Sequence, residues 1–330
     1  MKSLRVRTAG RAAGVAIALI GASGLVPVQA QTFPARPIRI VVPFPAGGPS
    51  DYAARVISQR LPESLGQQVI VDNRPGGAGA VGAEIVARAP ADGYMLLIAN
   101  VGMLSVSPHL IAKLPYDTLR DFAPITNVIG GPSYLVVHPS LPVKNVKDLV
   151  ALAKQRPGEL AYGSAGAGQI SHMNGELFRI LAGVNLLHVP YKGTAPILPE
   201  LIGGQTALTF STAIEVIQFA KQGRVRLIAV TGKQRSPAAP ETPTVDESGV
   251  PGFEALNWNG IVGPAGLPRD IVNRLNRDIV RALGIAEVKE RIAQQGNYPI
   301  ADTPEQFTAY IKLEYDKWAR VVKQAGIKPD

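Results

Sequence analysis

Apolar and polar positions change period repeatedly along this chain. Ile38-Arg39-Ile40-Val41-Val42 is a short β-branched run closed by Pro43, and it predicts a strand. The stretch Phe44-Pro45-Ala46-Gly47-Gly48-Pro49 follows as a loop, and Ser50 or Asp51 then offers a cap for a helix over residues 52–61. The pattern repeats as a strand at 69–71, a helix at 80–88 and a strand at 94–99. Beyond these, strands are expected at 134–137, 160–162, 187–190, 208–210, 226–230 and near Trp258. Helices are expected from Asn145 or Lys147 to Ala153 and at 171–181, 195–202, 213–222, 271–283 and 305–325, with Thr194 capping one and Gly183 stopping another. Strand–loop–helix alternation of this kind predicts an α/β fold with a mainly parallel sheet. In the last helix Phe307, Tyr310, Ile311, Trp318 and Val322 recur at helical spacing, which marks a core-facing stripe.

The first thirty residues stand apart from this pattern. Lys2, Arg5, Arg7 and Arg11 form a basic segment without acids, residues 12–26 are small and apolar, and Val28-Gln29-Ala30 offers a small-x-small cleavage site. This is the layout of a secretory signal peptide cleaved near Ala30, with no Arg-Arg pair for the twin-arginine route. Its removal takes four cations and no acid, so the formal net charge falls from +9 by four, to +5. No Lys/Arg run of a nucleic-acid-binding kind is present, and no later segment is apolar enough over sufficient length to span a membrane. The chain has 330 residues and no cysteine, which excludes disulfides, thiolate metal sites and a thiol nucleophile.

Two glycine-rich loops, at 44–51 and 163–172, each deliver the chain into a helix N-terminus. Such termini carry unpaired N–H groups and a partial positive charge, and glycine lets an anion reach the backbone. Each loop could hold one carboxylate without an arginine. Other chemistries are poorly provided for. Gly77-Ala78-Gly79-Ala80-Val81-Gly82 fits G-x-G-x-x-G, but five residues separate it from the strand and no acid follows at the required distance. His109, His138, His172 and His188 show no metal-ligand spacing, and His172 falls in the first turn after the second loop. Neither Ser50 nor Ser164 sits in G-x-S-x-G, and the adjacent acids Asp246 and Glu247 form no acid/base constellation. No catalytic residue, metal site or cofactor is expected.

The loops and their flanks resemble the Bug family, the extracytoplasmic solute-binding receptors of tripartite tricarboxylate transporters. The resemblance rests on Pro37-Ile38-Arg39-Ile40-Val41-Val42-Pro43-Phe44-Pro45-Ala46-Gly47-Gly48, Asp72-Asn73-Arg74-Pro75-Gly76, Ala91-Asp92-Gly93-Tyr94 and Leu114-Pro115-Tyr116-Asp117. It continues through Tyr162-Gly163-Ser164-Ala165-Gly166, His188-Val189-Pro190-Tyr191-Lys192-Gly193, Gly203-Gly204-Gln205 and Pro264-Ala265-Gly266, in order along nearly the whole mature chain. It implies a two-lobed periplasmic binding protein of type II with a hinge between lobes. Lobe 1 would comprise 31–132 and 232–330 and lobe 2 would comprise 133–231. It implies carboxylate contacts from Phe44, Ala46, Gly47, Gly48 and Asp51 in one lobe and from Ser164, Gly166, Gly168 and His172 in the other. Ser50, Ala165 and Gln169 are further candidate contacts in the same loops, and Phe44 and Tyr191 are expected to wall the cleft. Thr206-Ala207, Asn259 and Gln169 depart from the family pattern, so Gln169 and the Phe210-Ser211-Thr212 stretch are expected to shape the ligand's distal end.

The resulting expectation is a monomeric periplasmic receptor for a small organic carboxylate, partnered by transporter subunits or by a sensor kinase ectodomain. An exported α/β hydrolase and a structural or adhesive exported protein are the rival classes.

Overall fold

The computed structural model describes residues 33–328, so the signal-peptide segment and its cleavage point lie outside the described residues. The chain runs through β1 (Ile38–Val42), α1 (Pro49–Ser58), α2 (Pro62–Leu65), β2 (Val69–Asn73), α3 (Ala80–Ala87) and β3 (Met95–Asn100). It continues through β4 (Phe122–Val137), α4 (Val146–Gln155), β5 (Ala161–Ser164), α5 (Ile170–Ala182) and β6 (Leu187–Pro190). Then come α6 (Ile197–Ile202), β7 (Leu208–Thr212), α7 (Ala213–Lys221) and β8 (Arg226–Val230). It closes with β9 (Leu256–Pro264), α8 (Arg269–Leu283), α9 (Ala286–Gln294), β10 (Tyr298–Pro299) and α10 (Pro304–Ala325).

The strands are ordered β2-β1-β3-β9-β4-β7-β5-β6, with β8 and β10 also paired to β4. β1 is parallel to β2 and β3, and β5 is parallel to β6 and β7. The α/β class is the one the sequence pattern predicts, but the sheet is not mainly parallel: the outer strands pair parallel, while the five pairings that involve β4 or β9 are antiparallel. β4 joins the two groups. Its residues Phe122 to Pro132 pair antiparallel with β9, and Ser133 to Val137 pair antiparallel with β7 and β8.

Each face of a strand buries what its period dictates. Ile38, Ile40 and Val42 of β1 pack with Ala53, Ala54 and Ile57 of α1 and with Val272, Leu275 and Ile279 of α8. The opposite face, with Val41 and Leu97, joins the core that contains Trp258, Phe307 and Trp318. A third cluster places Ala213 and Val216 of α7 on Tyr134 and Val136 of β4. Burying such side chains contributes roughly 1.5–3 kcal/mol each, and α10 supplies them to both groups, packing on β4 and α5.

Three expectations are corrected. β4 begins at Phe122, twelve residues before the expected 134, because Pro124, Gly130, Gly131 and Pro132 read as breaks. The strand absorbs the irregularity with register shifts between Pro124 and Thr126 and between Asn127 and Ile129. Its glycines leave room for a neighbouring segment, since side chains at Gly130 and Gly131 would run into Ile300 and Asn297. α1 begins at Pro49, not at 52. Gly48 is its N-cap and makes no side-chain cap, while proline at the first position supplies the helical φ. Residues 232–255 were assigned to lobe 1, but they pack with the β7 and β8 group. Val245 N–H donates to Val230 O at 2.9 Å, and Phe253 stacks on Phe210 with ring centroids 6.2 Å apart. The return to the β3 group therefore occurs at β9.

Candidate functional site

The carboxyl ends of the two parallel groups converge on the middle of β4. Asn100, which ends β3, lies opposite Asn259 of β9, and Asn259 lies opposite Ile129 of β4. From the other group, Thr212, which ends β7, lies opposite Ser133 of β4. Ser133 lies four positions beyond Ile129 along the strand, a span of about 13 Å. The loops after β1 and β5 thus leave facing edges of the sheet, the position where open α/β sheets bind ligands. The loop after β5 also approaches the segment that follows β3, because a side chain at Gly168 would collide with Leu110.

The first loop is held from beneath by Asp51. Asp51 Oδ2 accepts from Gly47 N–H at 2.9 Å and from Arg55 Nε at 2.8 Å, and Oδ1 accepts from Asn73 Nδ2 at 3.0 Å. Burial raises this carboxyl, but the bonds from Arg55, Gly47 and Asn73 outweigh that effect and hold it below the ordinary aspartate value. Asn73 Nδ2 also donates to Phe44 O at 3.1 Å, and Gly47 needs its φ of +85° to make the turn. Phe44 is half-buried, with its ring edge beside Gly79. Ala46 and Gly47 are exposed, Gly48 is half-buried and Ser50 is buried. Ser50 Oγ donates to Asn259 Oδ1 at 2.7 Å and accepts from Asn100 Nδ2 at 3.4 Å. The amides of Gly48, Ser50 and Asp51 precede the first intrahelical bond, from Tyr52 N–H to Gly48 O, so α1 presents donors to this loop.

The second loop is built by the same device. Gly168 N–H donates to His172 Nδ1 at 3.0 Å, and Ala165 N–H donates to Ser171 Oγ at 3.0 Å. Gly166 and Gly168 adopt φ of +125° and +74°. Gln169 is the exposed N-cap of α5 and makes no side-chain cap. Tyr191 N–H donates to Ser164 O at 2.9 Å, and the half-buried Tyr191 ring lies against Gly163. Beneath the loop sits a stack of rings. His172 and His188 are stacked at 4.0 Å, and His188 and Tyr162 at 4.9 Å. Tyr162 OH donates to Glu176 Oε1 at 2.5 Å, while Arg179 holds Glu176 Oε2 at 2.7 Å. Burial, reinforced by His172, pushes His188 down to about 4, and burial also lowers His172. Both imidazoles are therefore neutral at pH 7, and His172 Nδ1 is free to accept the Gly168 proton.

Ser164 Oγ lies 2.6 Å from His188 Nε2, which has the look of a nucleophile and its base. Ser164 is fully buried, and its hydroxyl is also engaged with Gly166 N–H at 3.2 Å. The pair braces the loop and leaves no reactive oxygen on a surface. Among the described residues no group of three or more His, Asp or Glu is arranged to hold a metal ion. No helix among them is long and apolar enough to cross a membrane.

The structure gathers residues 44–51 around one helix start and residues 164–172 with Tyr191 around the other. It assigns Asp51 and His172 to bracing the loops. Phe210 is withdrawn from the cleft: it lies inside β7 and packs on Phe178 and Phe253, because that face of the strand is core. Ser211 is buried in the same strand, and Thr212 closes a capping box with Glu215 at the start of α7. Asn73, Asn100 and His188 were not anticipated as supports. No local spacing announces them, since each acts on a loop more than twenty residues away. Asn259 did carry a signal, as a departure from the family pattern.

Residues 53–327 match the family described as Tripartite tricarboxylate transporter family receptor. The chain is 38% identical over 316 residues to Protein BugT of Bordetella pertussis, covering 96% of each chain. Among solved structures it is similar to a protein of R. palustris determined with adipate, at 37% identity and TM-score 0.76, covering 90% of this chain and 100% of that one. It is also similar to MatC of Rhodopseudomonas palustris with bound malate, at 30% identity and TM-score 0.72, covering 88% and 100%. The facing loops, the shared strand β4 and these similarities agree: the chain belongs to the Bug family of tripartite tricarboxylate transporter receptors, periplasmic binding proteins with a two-lobed α/β fold.

Proposed function

We propose that this protein is exported to the periplasm and captures a small organic carboxylate between its lobes for the membrane subunits of a tripartite transporter, without catalysing a reaction. The observation that carries this reading is the pair of helix starts, α1 and α5. Each follows a glycine loop whose shape is fixed by a side chain from the helix's own first turn. Their backbone amides are donors without intrahelical acceptors, and a carboxylate between them would meet two partial positive charges. The adipate- and malate-bound relatives support a carboxylate ligand. The lobes of this reading are residues 33–132 with 256–328, and residues 133–255. A ligand touching both loops favours the closed arrangement because only that arrangement makes both sets of contacts. A monomer suffices, since one chain supplies both walls.

A thermal-shift screen of the exported protein against mono-, di- and tricarboxylates, aromatic acids and amino acids tests this. A ligand at a hundred times its Kd adds about 2.7 kcal/mol of stability. The expected result is stabilisation by at least one carboxylate. The reading fails if no carboxylate stabilises the protein and mass spectrometry of the denatured sample finds none carried through purification. Turnover of a bound acid or ester would fail its non-catalytic part.

A further inference from the structure

We infer that Met103 and Gly79 are positioning residues for ligand capture: they seat the Phe44 ring as a fixed apolar wall of the cleft, and that wall selects a carboxylate whose adjoining chain is hydrocarbon rather than hydroxylated. The inference rests on the carboxylate reading above and adds the chemistry of the chain that carries the carboxylate.

β1 lies between β2 and β3 and is parallel to both, so the three strands end at one edge of the sheet. The chain leaving β1 carries Phe44, with the turn after β2 on one side and the segment after β3 on the other. Both flanks reach the ring. A Cβ built on Gly79 would stand 3.2 Å from Phe44 Cζ and 3.0 Å from Met103 Sδ, so ring and thioether both press on a bare glycine. Thioethers pack favourably beside aromatic rings.

The turn after β2 is shaped for this contact. Gly76, Gly77, Ala78 and Gly79 have φ of +148°, +54°, +55° and +97°, four positive values in succession. Alanine seldom adopts such a φ, so the turn carries strain at Ala78. Most of it belongs to the G-x-G-x-x-G stretch, Gly77–Gly82, and two glycines of that stretch serve the β1 loop. Gly79 admits Phe44, and Gly82 admits Pro43, whose Cβ would lie 2.7 Å from an added side chain.

Met103 is fixed from two sides. Its N–H donates to Asn100 Oδ1 at 2.9 Å, its carbonyl accepts from Tyr116 OH at 2.7 Å, and its side chain is buried. It stands in a π-helical turn, Gly102–Val106, a form that recurs at functional sites. Asn100 Nδ2 also donates to Ser50 Oγ at 3.4 Å, in the first turn of α1, so the wall and the α1 amides share one support. Phe44 itself is held through its carbonyl by Asn73 and is half-buried, which leaves part of the ring open at the carboxyl edge. A ligand hydroxyl turned onto this ring and thioether would lose its water without gaining a comparable partner, whereas a methylene would lose nothing.

Isothermal titration of the exported protein with two pairs of equal length and charge, adipate with galactarate and succinate with tartrate, tests the inference. In each pair that binds, wild type is expected to favour the unhydroxylated member about tenfold. Met103→Ala and Phe44→Ala are each expected to weaken that member about tenfold and its hydroxylated counterpart at most about twofold. Met103→Leu, which keeps the apolar volume, should retain the preference. Because Met103 acts through Phe44, the double variant should bind no more weakly than Phe44→Ala. Thermal denaturation verifies the fold of each variant, and Met103→Val takes the place of Met103→Ala if the larger truncation unfolds the protein. Equal or tighter binding of the hydroxylated members by wild type overturns the inference. So do unchanged affinities in Met103→Ala, a uniform loss across both members of a pair, and additive losses in the double variant. In each of these cases the carboxylate reading stands. If neither pair binds, the inference falls, and the wider ligand screen decides whether the carboxylate reading falls with it.

Discussion

The amide of Gly47 donates to Asp51 Oδ2 at 2.9 Å, so a carboxylate inside the expected binding loop faces its own backbone. Gly168 and His172 repeat the arrangement on the other loop with an imidazole as acceptor, at 3.0 Å and the same spacing of four residues. Each helix start thereby spends one side chain on fixing a glycine turn, and the remaining amides point to a ligand that needs no cationic side chain. Asp51→Ala would release Gly47, Asn73 and Arg55 together. We expect at least tenfold weaker ligand binding and a loss of about 1–3 kcal/mol of stability, with Asp51→Asn intermediate. Calorimetric titration and urea unfolding check this, and an Ala variant that binds like wild type would remove Asp51 from loop support. The pH dependence has a definite sign. The folded protein holds this carboxyl below its unfolded value of 3.8. The stabilisation is complete above that value and is lost as the pH falls through the lower, folded one.

Glycines in the two loops answer different needs, and substitution separates them. Gly48 has φ of −81°, and an added Cβ would meet only Pro45 O, at an ordinary 3.6 Å. Gly48→Leu is therefore expected to keep wild-type thermal stability while its side chain blocks the α1 amides and abolishes binding. Gly168→Ala is expected to do the reverse in part, since it forces a φ of +74° on alanine and drives a methyl into Leu110. It should lower stability by about 1–3 kcal/mol. Denaturation curves that rank the two variants the other way would refute this division.

Both loops were legible in the sequence because their glycines and helix starts are local features. β1, α5 and α10 were legible for the same reason, each showing one period over its length. What escaped was non-local. Ser50 meets Asn259 across 209 positions, and His188 meets Ser164 across 24. The first three-quarters of β4 was hidden because Gly130, Gly131 and Pro132 punctuate a strand whose irregularity is filled by Asn297 and Ile300 from far along the chain. Phe210 was drawn toward the cleft by its place in the sequence. Its side chain instead belongs to the face of β7 that meets Phe178 and Phe253.

The ring stack beneath the second loop makes stability depend on pH above the range of the carboxylates. His188 titrates near 4 in the folded protein and near 6.5 when unfolded, so the unfolded chain takes up the proton first as the pH falls. Its contribution is complete above 6.5 and is lost on falling to 4, on the order of 1–3 kcal/mol. His188→Gln removes this titration while retaining a partner for Ser164 Oγ. Urea unfolding at pH 7 and pH 4.5 should therefore show a steeper loss for wild type than for the variant. Parallel losses would show that the imidazole is not held neutral.

The crossing between the two sheet groups is pinned by one hydroxyl. Thr231 Oγ1 accepts from Ser133 N–H at 2.8 Å and donates to Ala255 O at 2.7 Å, and Thr231 is completely buried. It thus ties the point where β4 changes partners to the residue just before β9. The backbone of Thr231 adds bonds to the same two residues, Thr231 N–H to Ser133 O and Ala255 N–H to Thr231 O, both at 2.9 Å. Thr231→Val keeps the shape and β-branching but leaves Ser133 N–H without its acceptor and Ala255 O without its donor. An unpaired buried polar group costs about 1–3 kcal/mol. Thr231→Ser, which restores the hydroxyl, should recover most of that loss. Hydrogen exchange at the Ser133 amide should accelerate in the valine variant and stay slow in the serine one. If Thr231→Val matches wild type in both unfolding midpoint and Ser133 exchange, the backbone bonds alone hold the crossing and the hydroxyl is dispensable. If only exchange accelerates, the hydroxyl governs local opening at the strand crossing, the motion that closure around a ligand would use.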